Sequence, residues 1–211
     1  MSLGSDRHPH HCDHCALPRQ VCVCAVLPRV QTQTRVTIVR HHSERFRSSN
    51  TGRLAALSLI NSEIVDHGGA SGEAKFTPLL GAMLLFPMGD ECTVAPTPLP
   101  AQLIVLDATW SQARRMWRKL DMLRGLPTLR LPELAVAAPR LRKSPGPGRV
   151  CTIEAIAAAL RLLEGDAVAT PLEALYDDVV DRMRSIGRNG IAAREIDHAE
   201  PDPGARLPPA D

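Results

Sequence analysis

Leu103-Ile104-Val105-Leu106 runs straight into Asp107-Ala108-Thr109-Trp110-Ser111-Gln112-Ala113-Arg114. The first four residues are an apolar run of strand length. From Thr109 the rhythm changes: Trp110, Ala113, Met116, Trp117 and Leu120 recur three and four residues apart. That spacing predicts a helix over 109–123. A strand that is apolar throughout is buried on both faces, and a direct strand-to-helix passage is half of a parallel α/β unit. Taken alone, the polar residues at the junction need no ligand. Asp107 or Thr109 caps the helix, and Trp110 belongs to its apolar stripe.

Working outward, the same alternation recurs. Arg35-Val36-Thr37-Ile38-Val39 is β-branched and reads as a strand. Asn50-Thr51-Gly52 leads into an apolar stretch of helical spacing over 53–61. Residues 79–86 form a short apolar run stopped by Pro87, and 126–131 a further short strand. Residues 138–148 are a Pro/Gly/Arg loop. Residues 152–164 form a helix that Thr152 can cap, with a stripe of Ile153, Ile156, Ala157 and Leu160, and residues 172–186 form another amphipathic helix. The expected class is therefore α/β, with a mostly parallel sheet flanked by helices. In such sheets ligands bind beyond the carboxyl ends of the strands. This singles out residues 86–90, residues 107–110 and the helix start at Thr152, where free N–H groups face outward.

The chain has 211 residues with 44% apolar content, enough for one domain and its core. No apolar run approaches the ~18 residues of a membrane span. The polar, His-rich stretch 1–11 does not read as a secretory signal, so a cytoplasmic location is expected. Net charge is only +2 but is unevenly spread: +4 over 1–50, −3 over 51–106, +7 over 107–151 and −6 over 152–211. A basic middle beside an acidic tail suits a surface that faces a polyanion, although solvated helix faces explain any single run equally well. The sequence divides into a Cys/His-rich head (1–30), a main domain (31–190) and a Pro- and Asp-rich tail (191–211).

Cys12, Cys15, Cys22 and Cys24 place four thiols within thirteen residues. Four thiolates close a tetrahedral zinc site, and in a cytoplasmic chain such clustering points to metal before disulfides. An iron–sulfur cluster is the rival reading. A closed site of this kind leaves the metal no open position, so its role is structural. Cys92 and Cys151 are isolated and read as small buried residues.

The blocks around the opening segment change its meaning. Leu106 to Arg114 resembles the signature of the DTW-domain family. In the same order, the cysteine head, His41-His42-Ser43-Glu44 with Arg47 and Asn50-Thr51-Gly52, Leu84-Leu85-Phe86-Pro87, and Leu141-Arg142-Lys143 with Thr152-Ile153-Glu154-Ala155 resemble the other blocks of that family. The likeness spans roughly residues 12–188. Three positions depart from the pattern: His42 stands where the family has Pro, Pro139 where a Tyr is common, and Cys151 where a Ser precedes the Thr.

What this resemblance implies is specific. Members are tRNA-uridine aminocarboxypropyltransferases. They move the 3-amino-3-carboxypropyl group of S-adenosylmethionine (SAM) to N3 of a tRNA uridine and release methylthioadenosine. They are related to the SPOUT superfamily, whose parallel sheet carries a C-terminal trefoil knot. On this reading Asp107, Thr109 and Trp110 are catalytic. Asp107 either takes the N3 proton or holds the SAM ammonium, Thr109 is its hydrogen-bonding partner, and Trp110 stacks or packs. The SAM pocket draws on Phe86, Pro87, Gly89, Asp107, Leu131, Arg142, Thr152 and Glu154. The tRNA partner meets His41, Glu44, Arg47, Asn50, Arg114, Arg118 and Lys143. No membrane partner is expected, and monomer and homodimer both fit. The alternatives are a SPOUT-type RNA methyltransferase with the same pocket, or a non-catalytic zinc-dependent RNA-binding module.

Overall fold

Alternating apolar strands and helices assemble, in the computed structural model, around one parallel sheet; residues 10–134, 140–141 and 150–187 are described. The strands are β1 (Arg35–His41), β2 (Ser62–His67), β3 (Ala82–Leu85), β4 (Gln102–Asp107) and β5 (Thr128–Leu129). The helices are α1 (Thr51–Ser58), α2 (Trp110–Lys119), α3 (Thr152–Glu164) and α4 (Asp166–Ser185). Every strand pair is parallel, in the order β2-β1-β4-β3-β5. The two central strands are apolar because both their faces are covered. Val36, Ile38, Leu103 and Val105 pack on one side against α1, α3 and α4. Val39, Ile104 and Leu84 pack on the other with Met116 and Leu120 at the α2 end.

Three local differences from the sequence reading have physical causes. The helix after Thr109 ends at Lys119, because Leu120 turns extended (φ −78°, ψ 107°) before a single 3-10 turn over Asp121–Leu123. Strand β2 was not foreseen. It is a half-buried edge strand whose two apolar residues, Ile64 and Val65, sit between polar ones. Helix α4 starts at Asp166 and runs through Pro171, which reads as a stop in sequence. Burial of Ala169, Leu172, Leu175 and Val179 outweighs the backbone bond that Pro171 cannot make.

The head does not stand apart. Leu17, Val21 and Val23 are buried in the same cluster as α3 and α4, and Arg182 of α4 donates from Nη1 to the Cys22 carbonyl at 3.3 Å. The C-terminal trefoil knot expected from the resemblance is not traced, since residues 135–139, 142–149 and 188–211 lie outside the described residues. So do Arg142, Lys143 and Pro139.

Candidate active site

Strand β4 delivers Asp107 to its carboxyl end on the face that packs against α1 and α3. There the carboxylate meets the N-termini of both helices. Asn50, the N-cap of α1, accepts from the Arg53 N–H through Oδ1 and donates from Nδ2 to Asp107 Oδ2 at 2.5 Å. Thr152, the first residue of α3, donates its hydroxyl to Asp107 Oδ1 at 2.6 Å. Gly52, the second residue of α1, makes the approach possible, because a Cβ there would lie 2.7 Å from Asp107 Cγ. Asp107 is 4% exposed. Burial pushes its carboxyl above the ordinary value, against the opposing pull of the Thr152 and Asn50 hydrogen bonds.

A cavity of about 650 Å³ opens over this carboxylate at the carboxyl ends of β3, β4 and β5. That volume suits a cofactor-sized ligand. Phe86 and Pro87 after β3, Leu131 after β5, and Thr152 on α3 form part of its wall. Phe86 is held by Trp117 of α2, the rings 5.3 Å apart and stacked at 23°. Gly89 is not on the wall. Its carbonyl accepts from Arg130 at 3.0 Å, and its φ of +83° sets the turn after β3. Glu154 faces a neighbouring cavity and completes the α3 cap: it accepts from the Cys151 N–H at 2.7 Å and pairs with Arg140.

Glu44 and Arg47 line the same cavity. Glu44 is 2% exposed, with Arg47 Nη1 3.2 Å from its Oε1. Asn50, also buried, is not on the wall and works as a cap and as a donor to Asp107. His41 closes β1 outside the cavity wall. Its ring lies 4.5 Å from His42 and 6.3 Å from His67, and burial followed by these neighbours lowers its pKa to about 4.

Thr109 and Trp110 stand at the rim. Thr109 is exposed and caps α2, while Trp110 is half-buried on the wall and outside the buried stripe of Ala113 and Met116. Arg114 is exposed on the wall, with Arg118 one turn further along α2. Tyr176, Arg140 and Cys151 are among the wall residues that the sequence reading did not mark. Tyr176 comes from α4, Arg140 from the loop, and Cys151 caps α3 with its thiol raised to about 11 by burial. Cys151 carries a signal only as the family's Ser position; Tyr176 carries none, since it lies at core spacing on α4.

At the head, the four Sγ atoms of Cys12, Cys15, Cys22 and Cys24 lie within 4.8 Å of one another. Cys12 and Cys24 are 3.6 Å apart and Cys15 and Cys22 3.7 Å, and none is in a disulfide. Tetrahedral thiolate ligation with bonds of about 2.3 Å separates sulfurs by about 3.8 Å, so this group can hold a metal ion. Among the described residues no helix is long and apolar enough to cross a membrane.

The sequence is similar to those of known proteins. The sequence model of the DTW domain matches residues 9–184. The chain is 29% identical over 191 residues to tRNA-uridine aminocarboxypropyltransferase 2 of Mus musculus, covering 81% of this chain and 63% of that protein. It is 27% identical over 208 residues to tRNA-uridine aminocarboxypropyltransferase A of Arabidopsis thaliana, covering 79% and 78%. It is 26% identical over 177 residues to tRNA-uridine aminocarboxypropyltransferase 2 of Drosophila melanogaster, covering 78% and 70%. The chain thus spans less than two thirds of the mouse protein's length. No solved structure matches it. With a family match over most of its length, and Asp107-Ala108-Thr109-Trp110 at the mouth of its main cavity, this chain belongs to the DTW domain family.

Proposed function

We propose that this protein transfers the 3-amino-3-carboxypropyl group of SAM to N3 of a uridine in tRNA, releasing methylthioadenosine. The observation that carries this reading is the buried Asp107 carboxylate, held by two helix N-termini at the floor of a cofactor-sized cavity in a DTW-family chain. In the reaction a bond forms between N3 and the γ-carbon of SAM. The γ-carbon–sulfur bond breaks, and its electron pair leaves with sulfur as methylthioadenosine. A sulfonium leaves readily, so the protein's work is chiefly positioning.

Of the two roles open to Asp107, the burial supports the ammonium ligand. A carboxylate that is costly to ionise alone gains most from a cation beside it. Glu44 lies buried on the same wall, its charge matched by Arg47. Phe86 and Pro87 wall the apolar part of the cofactor. The target base enters past Trp110 and Thr109, and its N3 proton passes to water at this open rim. Arg114 and Arg118 lie beside the entrance and face the tRNA backbone. Zinc in the four-cysteine head has a structural role and takes no part in transfer.

Incubating the purified protein with SAM and tRNA, followed by mass spectrometry of nucleosides and small products, tests this. Methylthioadenosine and an aminocarboxypropyl uridine are the expected products. S-adenosylhomocysteine with a methylated nucleoside would replace the reading with a methyltransferase.

A further inference from the structure

Of the three phenylalanines, Phe46 alone is exposed. Phe86 is buried against Trp117, and Phe76 packs on the same cluster. Phe46 belongs to neither core cluster and is 55% exposed. Exposure alone means little, since single apolar residues are common on surfaces. The surroundings of the ring carry the argument. The Arg45 guanidinium lies over it, with Cζ 5.3 Å from the ring centroid, a cation–π contact. Glu44 and Arg47, two residues before Phe46 and one after, line the main cavity. Phe46 itself is outside the wall, so the ring stands on the outer lip, its Cα about 3.8 Å from that of Arg47. The backbone of this lip is fixed. The Arg45 N–H donates to the His42 carbonyl at 3.1 Å, the Arg47 N–H to Glu44 at 3.3 Å and the Asn50 N–H to Arg47 at 3.2 Å. Arg53 of α1 donates from Nη2 to the Arg45 carbonyl. Arg45 Nε lies 3.8 Å from Asp66 Oδ2 on β2, whose Oδ1 pairs with Arg40 at 2.7 Å. A ring held this way surrenders little freedom when a ligand stacks on it.

We propose that Phe46, backed by Arg45, is a stacking platform for the unpaired nucleobase next to the target uridine. This rests on the tRNA-uridine reading above and deepens it, by naming what holds the RNA loop while the uridine is turned into the cavity. Uridine N3 lies on the pairing edge, so the base must leave both its partner and its stack before it can react. Its neighbour then lacks one stacking face. An aromatic ring beside the cavity mouth supplies that face, as aromatic side chains do for unpaired RNA bases in general. The charge around the ring suits the same partner. Residues 45–53 contain Arg45, Arg47 and Arg53 and no acid, so the phosphates that flank a stacked base meet cations. Serine and arginine surround Phe46 in the chain, Arg45-Phe46-Arg47-Ser48-Ser49, where docking of a protein would call for a wider apolar patch. The platform touches the neighbour and not the reacting base, and therefore leaves N3 open to the SAM γ-carbon.

Steady-state kinetics with a tRNA transcript and photo-crosslinking from position 46 test the proposal. Phe46→Ala and Phe46→Leu are expected to raise KM for tRNA about 10-fold, the scale of one stacked base, with the loss falling on KM rather than kcat. Phe46→Trp is expected to keep the wild-type KM, because the indole offers a larger stacking face. Leucine is apolar but has no π face. A wild-type KM in Phe46→Leu would show apolar contact without stacking and overturn the proposal, as would an unchanged KM in Phe46→Ala. SAM binding by calorimetry and the thermal melt are expected to match the wild type in each variant, since the ring lies outside the wall and the core. A raised KM that comes with weaker SAM binding or a lower melt would make the ring structural and sink the platform. Phe46→p-benzoylphenylalanine is expected to crosslink to an unpaired nucleotide adjacent to the modified uridine, mapped by reverse-transcription stops. Crosslinks confined to paired stems, or none, overturn the proposal. Failure of the wild-type protein to form any aminocarboxypropyl uridine overturns the functional reading instead, and the crosslink to an unpaired nucleotide then decides the platform by itself.

Discussion

Asp107 serves two needs with one carboxylate. It completes the hydrogen bonding of Asn50 and Thr152, and it places negative charge at the cavity floor. As a site residue, Asp107 makes Asp107→Ala a change of activity. The structure makes it a stability change too, since two buried donors lose their acceptor, at a cost of about 1–3 kcal/mol. Urea melts are expected to show that loss alongside loss of SAM binding by calorimetry; an unchanged melting midpoint would separate Asp107 from the two helix caps. Gly52 gives a test whose sign is the reverse of that in an ordinary helix. In an unconstrained helix Gly→Ala stabilises by ~1 kcal/mol. Here the added Cβ would meet the Asp107 carboxylate at 2.7 Å, so Gly52→Ala is expected to destabilise by about 1–3 kcal/mol and to weaken SAM binding. His41 adds a pH dependence. Its folded pKa of about 4, set by burial and by His42 and His67, with Glu44 and Arg115 also in range, lies below its ordinary 6.5. The unfolded chain therefore takes up a proton that the folded chain refuses between those values. Stability is expected to fall as pH drops from 6.5 to 4. His41→Gln reduces that slope in melts run across the window, and an unchanged slope would remove His41 from the acid response.

At the scale of elements, the cysteine head and α4 stabilise one another. Leu17, Val21 and Val23 share the core with Leu172, Leu175 and Val179, and Arg182 holds the Cys22 carbonyl. A metal that fixes the four thiols therefore steadies the packing of α4, and through α4 the Tyr176 side of the cavity wall. Cys12→Ser or a strong chelator is expected to release about one equivalent of zinc by elemental analysis and to lower the melting temperature by several degrees. Zinc loss with an unchanged melt would confine the metal to the head. The same scale shows where periodicity reads well. Helix α3 begins and ends where its apolar stripe predicts, because a cap at Cys151 and Gly165 at φ +93° bound it locally. Strand β2 has no such local mark; it exists because β1 offers it an edge.

For the whole molecule, charge is placed to one side of the site. The rim of the cavity meets the exposed arginines of α2, while α4 carries acids such as Asp177, Asp178 and Asp181. tRNA affinity is expected to fall steeply with salt, and each of Arg114→Ala and Arg118→Ala to reduce the slope of log K against log salt by about one. Filter binding at several salt concentrations measures it, and unaltered slopes would move the RNA surface elsewhere. Apolar runs and helical spacing were enough to read the parallel α/β class, most helices and the thiol cluster, because burial on both sheet faces and local capping write themselves into short stretches of sequence. The strand-end rule and the family blocks marked Asp107, Phe86 and Thr152. The convergence of Asn50, Asp107 and Thr152 on one another came only with the tertiary structure, as did the cavity's Tyr176 wall. The Asp107 contacts join residues 45 and 57 positions apart, and their geometry depends on strand order and helix docking, which no local pattern encodes.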